Sequence, residues 1–73
     1  MTHAYYEQRL AGLTDDQLRT EYARRLRDAL YRRSPREQTQ ALAALDGVRA
    51  ECTRRGRPAL MAEAVALVQG ERS

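Results

Sequence analysis

Residues 14–56 read TDDQLRTEYARRLRDALYRRSPREQTQALAALDGVRAECTRRG, and this stretch decides the fold. It opens with Thr14-Asp15-Asp16-Gln17, a capping-box pattern whose side chains satisfy free backbone N–H groups at a helix start. The aspartates place negative charge at the positive end of the helix dipole. Apolar residues then recur at helical spacing; they are Leu18, Tyr22, Leu26, Ala29 and Leu30. The pattern predicts a helix over 15–33.

A second helix is predicted over 35–55. Ser34 caps it, Pro35 takes the first position, and Glu37 is expected to complete another capping box. Gly56 follows as a C-terminal stop. Because the connection at 33–35 is so short, the two helices are expected to lie antiparallel. The second apolar face contains Ala41, Leu42, Leu45, Val48 and Cys52.

Shorter helices are predicted at both ends, over about 3–12 and about 58–69. The first should cover the hairpin near Leu18 and Tyr22, and the last should end at Gly70. The last helix is so apolar that it should be largely buried; its apolar residues are Leu60, Met61, Ala64, Val65, Leu67 and Val68. The predicted fold class is therefore all-α, a small three- to four-helix bundle in a single domain, 1–73, built on a central antiparallel helical hairpin.

The small size of the chain favours self-association. A core of 73 residues rarely supplies more than a few kcal/mol of stability. Cys52 is the only cysteine, so no disulfide strengthens the core. We therefore expect a homodimer, and another protein of unknown identity as the functional partner. The residues expected to make the contact lie in the last helix: Leu60, Val65, Leu67 and Val68.

The composition indicates a high-GC bacterial or phage gene. The chain has thirteen arginines and no lysine, isoleucine, phenylalanine or asparagine. Those four missing residue types have A/T-rich codons, so the arginines reflect codon bias more than adaptation to nucleic acid. The sequence shows no signal peptide or membrane span, and one free cysteine fits a reducing compartment. These features predict a cytoplasmic protein without membrane contact.

The sequence predicts no catalytic, cofactor-binding or metal-binding residue. His3 is the single histidine and lies near the terminus, and Cys52 falls on an apolar face where a thiol behaves as a small hydrophobe. There is no phosphate-binding loop, zinc spacing or nucleophile elbow, and no internal repeat. An enzyme is therefore not expected.

Charged residues four apart indicate a solvated hairpin surface. The pairs expected are Asp15–Arg19, Glu21–Arg25, Arg24–Asp28 and Asp28–Arg32. Gly47 interrupts the second long helix and leaves two interpretations open: a tolerated glycine on an exposed face, or close contact with a backbone of the last helix or of a partner chain.

Two arginine clusters raise nucleic acid as an alternative ligand. One combines Arg32, Arg33 and Arg36 with Tyr31 beside the start of the second long helix, where backbone N–H groups favour phosphate. The other contains Arg54, Arg55 and Arg57. An antiparallel hairpin places the two at opposite poles, roughly 30 Å apart, so one chain lacks a continuous basic face.

The leading functional prediction is a small non-enzymatic protein–protein interaction module, a bacterial or phage regulatory or accessory protein. The alternative is a dimeric nucleic-acid-binding transcriptional regulator that uses Tyr31, Arg32, Arg33 and Arg36. A helix-turn-helix fits poorly, because Glu51, Arg55 and Arg57 fall where that motif needs apolar residues.

Overall fold

The computed structural model of the protein describes residues 2–72, and the side chains of residues 5–71. It contains four helices, which confirms the all-α prediction. They are α1 (Thr2–Ala11), α2 (Asp15–Tyr31), α3 (Pro35–Arg54) and α4 (Ala59–Arg72).

The two hairpin helices start with caps of different quality. At α2, Gln17 N–H donates to Thr14 Oγ1 (3.1 Å) and Thr14 N–H donates to Gln17 Oε1 (2.9 Å), so the predicted capping box is complete. At α3, Ser34 Oγ accepts from Glu37 N–H at 3.5 Å, and Pro35 is the first helical residue. The reciprocal bond from Glu37 predicted there is not formed. Gln38 Nε2 instead donates to Arg32 O at 2.6 Å and closes the turn.

The end of α3 follows the prediction closely. Gly56 has φ +70°, the left-handed conformation that glycine adopts without steric cost. The N–H of Arg57 donates to Cys52 O at 2.9 Å, and that of Gly56 donates to Thr53 O at 3.0 Å. This pair of bonds is a Schellman motif, which satisfies the last carbonyls of the helix.

The expected stop at Gly70 is wrong, because α4 continues to Arg72. Glycine inside a helix costs only about 1 kcal/mol relative to alanine, so it does not force an end. Here Arg27 Nε and Nη2 of α2 donate to the carboxylate of Glu71, at 2.7 and 2.5 Å. This contact holds the last turn against the neighbouring helix.

The terminal helices lie on opposite sides of the α2–α3 hairpin. α4 packs on α2, α1 packs on α3, and α3 makes only a small contact with α4. As expected, α1 covers the hairpin near Leu18 and Tyr22, which share one core cluster with Leu10 of α1, although α1 packs mainly on α3. The arrangement is flat, with Cα extents of 30 × 28 × 14 Å.

The core draws residues from all four helices. Leu30 and Leu42, which were predicted to lie on buried faces, are 53% and 56% exposed. Both leucines lie near the α2–α3 turn. They are therefore far from the α3–α4 turn, where α3 and α4 come together. The core cluster consists of Leu10, Leu18, Tyr22, Ala23, Leu45, Val48, Cys52, Leu60, Ala64 and Val68.

α4 is less buried than its composition predicts. Leu60, Ala64 and Val68 form one buried strip at a spacing of four residues. Ala62, Ala66 and Leu67 are exposed. An alanine-rich helix has high hydropathy even where its outer face meets water, so apolar composition overestimated the buried fraction.

Candidate functional site

Two glutamates are buried in the hairpin, which the sequence analysis did not predict. Glu21 of α2 and Glu51 of α3 are each 7% exposed. A buried carboxylate is costly unless charged or polar groups surround it. Among the described residues, no buried side-chain nitrogen or oxygen lacks a hydrogen-bond partner. Both glutamates are therefore fully satisfied where they lie.

Glu21 is held by its own helix and by α1. Arg25 Nε donates to Oε2 at 3.1 Å, and Arg24 Nε donates to Oε1 at 3.3 Å. Tyr6 donates its hydroxyl to Oε2 at 2.7 Å, and the Arg25 guanidinium lies 5.5 Å from the centre of the Tyr6 ring. We call Glu21, Arg24 and Arg25 the Glu21 clamp.

Burial and hydrogen bonding at the Glu21 clamp shift two pKa values in opposite directions. Burial opposes ionisation of Glu21, but the hydrogen bonds from Tyr6, Arg24 and Arg25 outweigh it and lower the pKa of that carboxyl. Burial, followed by the hydrogen bond to Glu21, raises the pKa of Tyr6 to about 12. At neutral pH the tyrosine is therefore a hydrogen-bond donor to an ionised carboxylate.

Glu51 has the same arrangement one helix further on. Arg54 Nη2 donates to Oε2 at 2.7 Å, and Arg55 Nε donates to the same oxygen at 2.6 Å. Burial opposes ionisation, yet the bonds from Arg54 and Arg55 lower the pKa of Glu51 overall. We call these three residues the Glu51 clamp.

Arg55 also connects the clamp to the α1–α2 loop. Its Nη2 donates to the carbonyls of Leu10 (2.9 Å), Ala11 (3.4 Å) and Leu13 (2.7 Å). Its Nη1 donates to Asp15 Oδ1 at 3.1 Å. The last carbonyls of a helix lack their usual intrahelical partners, so Arg55 adds a side-chain cap to the end of α1.

A short pattern marks both clamps in the sequence. Glu-x-x-Arg-Arg-x-Arg occurs at residues 21–27 and again at 51–57. The expectation of no repeat missed it, and the Glu21–Arg25 pair was taken as solvated. A useful signal was the position of each glutamate three residues after a core residue, Leu18 or Val48, which places it beside the apolar face of its helix.

Two of the predicted ion pairs are replaced, one by partners outside α2 and one by a different partner within α2. Asp15 pairs with Arg55 (3.1 Å) and Arg57 (3.4 Å) instead of Arg19. Arg19 pairs with Asp16 and with Glu63 of α4. Arg24 pairs with Glu21 instead of Asp28, while the predicted Asp28–Arg32 pair is present at 3.2 Å. Tertiary contacts therefore changed the charge pairing that local spacing suggested.

Gly47 matches neither of its two interpretations. It faces α1, and a Cβ added there would lie 3.4 Å from the Tyr6 ring and 3.6 Å from a Leu10 methyl group. The close neighbours are side chains of α1, so they are neither solvent nor the backbone of α4 or of another chain.

The residues predicted to bind a protein differ in access. Leu60 and Val68 are 1% and 2% exposed, because they pack into the core of their own chain. Val65 is half-buried and Leu67 is 51% exposed. In this conformation, only Val65 and Leu67 of the four can reach a partner.

α3 and α4 make only a small contact, and we infer from this an open gap between them. By helical register, five apolar residues face this gap. Leu30 and Leu42 among them are exposed, and the other three are partly buried. We call it the α3–α4 groove, and its residues are Leu26, Leu30, Leu42, Met61 and Val65.

The two arginine clusters differ in how far their charge is neutralised. Arg54, Arg55 and Arg57 are engaged by Glu51 or Asp15. At the other pole, Arg32 pairs with Asp28, but Arg33 and Arg36 are exposed and have no carboxylate partner among the described residues. Tyr31 beside them is 52% exposed. Glu37, which lies next to Arg36 in the sequence, forms no ion pair with this cluster among the described residues.

The residues weighed for chemistry lie apart. Cys52 is fully buried, and burial raises the pKa of its thiol. The side chain of His3 lies outside the described residues. Within residues 5–71, no three His, Cys, Asp or Glu side chains come together as metal ligands. None of the helices over 2–72 has both the length and the apolar character needed to cross a bilayer.

The comparisons with known proteins do not identify a function, so the function proposed below rests on the geometry of the chain. No protein-family model matches the chain, and neither a curated protein nor a solved structure matches it.

Proposed function

We propose that the chain is a small non-enzymatic protein-interaction module, a cytoplasmic regulatory or accessory protein of a high-GC bacterium or its phage. The exposure of two leucines at the α3–α4 groove is the observation that carries this proposal. Leu30 and Leu42 are more than half exposed, although each has the register of a core residue. Apolar side chains grouped in this way favour a partner surface that removes them from water.

The proposed ligand is an amphipathic helix, which binds an apolar groove through residues spaced three and four apart. α3 runs along the groove from Leu42 to Arg49, about 10 Å at the rise of an α-helix. Two turns of a partner helix match that length. The helix belongs either to another protein or to a second copy of this chain, and the latter gives the homodimer that the small core favours.

A matched pair of variants tests the groove against the outer side of α4. Leu42→Glu places a charge in the groove, while Leu67→Glu places the same charge at a similarly exposed leucine outside it. Leu67 lies between Glu63 and Glu71 on its helix, both of which pair with α2. Neither substitution changes a buried side chain, so both variants should remain folded.

The measurement is sedimentation equilibrium of the pure protein, followed by capture from a high-GC bacterial lysate with nuclease treatment. We expect Leu42→Glu, but not Leu67→Glu, to abolish self-association or specific capture. If only Leu67→Glu abolishes binding, the partner binds the outer side of α4 instead of the groove. If both variants bind as the wild type does, the proposal fails.

Nucleic acid is the second candidate, favoured by the free charge at Arg33 and Arg36 beside exposed Tyr31 and Arg32. Neutralising each phosphate releases counterions, so such binding falls steeply with salt. Arg33→Ala with Arg36→Ala should weaken it more than Arg9→Ala with Arg49→Ala, a control that removes equal charge from exposed arginines elsewhere. Tight, sequence-selective binding to DNA at about 150 mM salt, lost only in the first variant, would place this function ahead of protein binding.

A further inference from the structure

We infer that α1 is a cover that opens from the hairpin as a unit, and that the two glutamate–arginine clamps hold it closed. This inference rests on how α1 is attached and is independent of the proposed function.

The apolar attachment of α1 is small. Of its described side chains, residues 5–11, Leu10 is the one that is fully buried, and Tyr6 is half-buried. α4, by comparison, inserts Leu60, Ala64 and Val68 into the core. Buried apolar area is the main source of packing energy, so α1 gains much less from packing than α4 does.

The polar attachment of α1 is concentrated in the two clamps. The Glu21 clamp binds the middle of α1 through the Tyr6 hydroxyl and ring. The Glu51 clamp binds the end of α1 through the carbonyls of Leu10 and Ala11, and the following loop through that of Leu13, all of which accept from Arg55. Each copy of the Glu-x-x-Arg-Arg pattern therefore holds one part of the same helix.

The clamps remain assembled when α1 leaves. Arg24, Arg25, Arg54 and Arg55 lie three or four residues after the glutamates that they bind, within the same helices. Opening therefore breaks the bonds to α1 without separating these ion pairs, and it leaves both glutamates with charged partners. The hairpin and α4 do not depend on α1 to satisfy their buried charges.

The surface under α1 has a small residue at its centre and grooves at its edges. Gly47 lies against Tyr6 and Leu10. Because glycine has no side chain, α3 presents no apolar side chain at this position that could interlock with α1. Grooves lie on both sides of α1: one runs along α3 past Ala50 and Glu51, and another runs along α2 past Thr20 and Arg24. Opening joins these grooves and exposes a strip of α3 around Gly47 and Glu51.

Amide hydrogen exchange of the full chain near neutral pH tests the inference. In the wild type, the amides of residues 7–11 should exchange at least about tenfold faster than those in the centres of α2 and α3. Tyr6→Phe removes one hydrogen bond to an ionised carboxylate and should speed exchange in α1 by about a further tenfold. Gly47→Leu keeps good helix propensity in α3 but places a side chain where α1 sits, so it should abolish protection in α1.

Arg27→Ala is the control, because it removes an ion pair at α4 and should leave α1 unchanged. The expected result is loss of protection in α1 with α2 and α3 still protected in both test variants. If α1, α2 and α3 exchange at one common rate in the wild type, or lose protection together in either variant, α1 unfolds only with the whole chain and the inference is overturned.

Discussion

α1 and α4 both flank the hairpin, but different forces attach them. α4 inserts three apolar residues at a regular spacing, and its ion pairs with Arg19 and Arg27 lie at the exposed edge. α1 inserts one apolar residue fully and depends on hydrogen bonds with charged groups, since Tyr6 donates to Glu21 and Arg55 donates to its last carbonyls. A helix such as α1 that is too polar to form an apolar strip can therefore still pack on its neighbours. It does so if those neighbours carry charged side chains that are already paired with one another.

The largest expected effect comes from the apolar strip of α4. Leu60→Ala should lower the free energy of unfolding by about 2–5 kcal/mol, since it leaves a cavity in the core. Leu10→Ala is the matched change in α1, because both leucines are 1% exposed. Leu10→Ala should open α1 and should lower the urea midpoint less than Leu60→Ala does. Equal losses in urea denaturation would show that the two helices contribute equally to one core.

The next effect concerns the polar attachment of α1. Arg55→Ala removes the donor for three carbonyls and one partner of Glu51, and should cost about 2–3 kcal/mol, as bonds to charged groups do. Arg57→Ala removes only a more exposed contact with Asp15 and should cost less than about 1 kcal/mol. Thermal denaturation of the two variants side by side measures the difference. A similar midpoint for both would contradict the role of Arg55 as the cap of α1.

Acid should weaken the clamps before it affects the apolar strip. The pKa of Glu51 is lowered from 4.5 in the folded protein, so the unfolded chain binds protons at a higher pH than the folded one. The stability from this group is complete above the unfolded pKa and is lost as pH falls through the folded pKa.

Glu51→Gln should therefore be less stable than the wild type at about pH 7, and the gap should narrow towards about pH 4. Urea midpoints at several pH values measure it. A gap that stays constant with pH would show that the charge of Glu51 does not contribute to stability.

The smallest effect is a gain. Gly47→Ala should raise the stability of α3 by up to about 1 kcal/mol, because alanine is the better helix former. The added Cβ would lie 3.4 Å from the Tyr6 ring, an ordinary contact. Together with Gly47→Leu it forms a graded series at one position. A loss of stability in Gly47→Ala would mean that α1 sits more rigidly on α3 than its few apolar contacts suggest.

Little of the candidate site could be predicted from the sequence. Arg33 and Arg36 were recognised as a basic pole, and Val65 lies on the predicted apolar helix. Leu60 and Val68 were chosen for a partner, yet they complete the core of their own chain. Leu30 and Leu42 were assigned to the core, yet they are exposed. Helical register shows which residues share a face, but it does not show which neighbour covers that face or how far the cover extends.

The sequence by itself determined the helices of the hairpin, the caps at Thr14 and Gly56 and the turns between helices. Each of these depends on hydrogen bonds and backbone preferences within about four residues, so the local pattern contains the information. Only the tertiary structure decided that Glu21 and Glu51 are buried, that Asp15 pairs with Arg55, and that α4 continues past Gly70. Those outcomes depend on groups some 15 to 44 residues away in the chain, such as Tyr6 for Glu21 and Arg27 for Glu71. Burial and ion pairing follow from distance in space, which the spacing of residues along one helix does not specify.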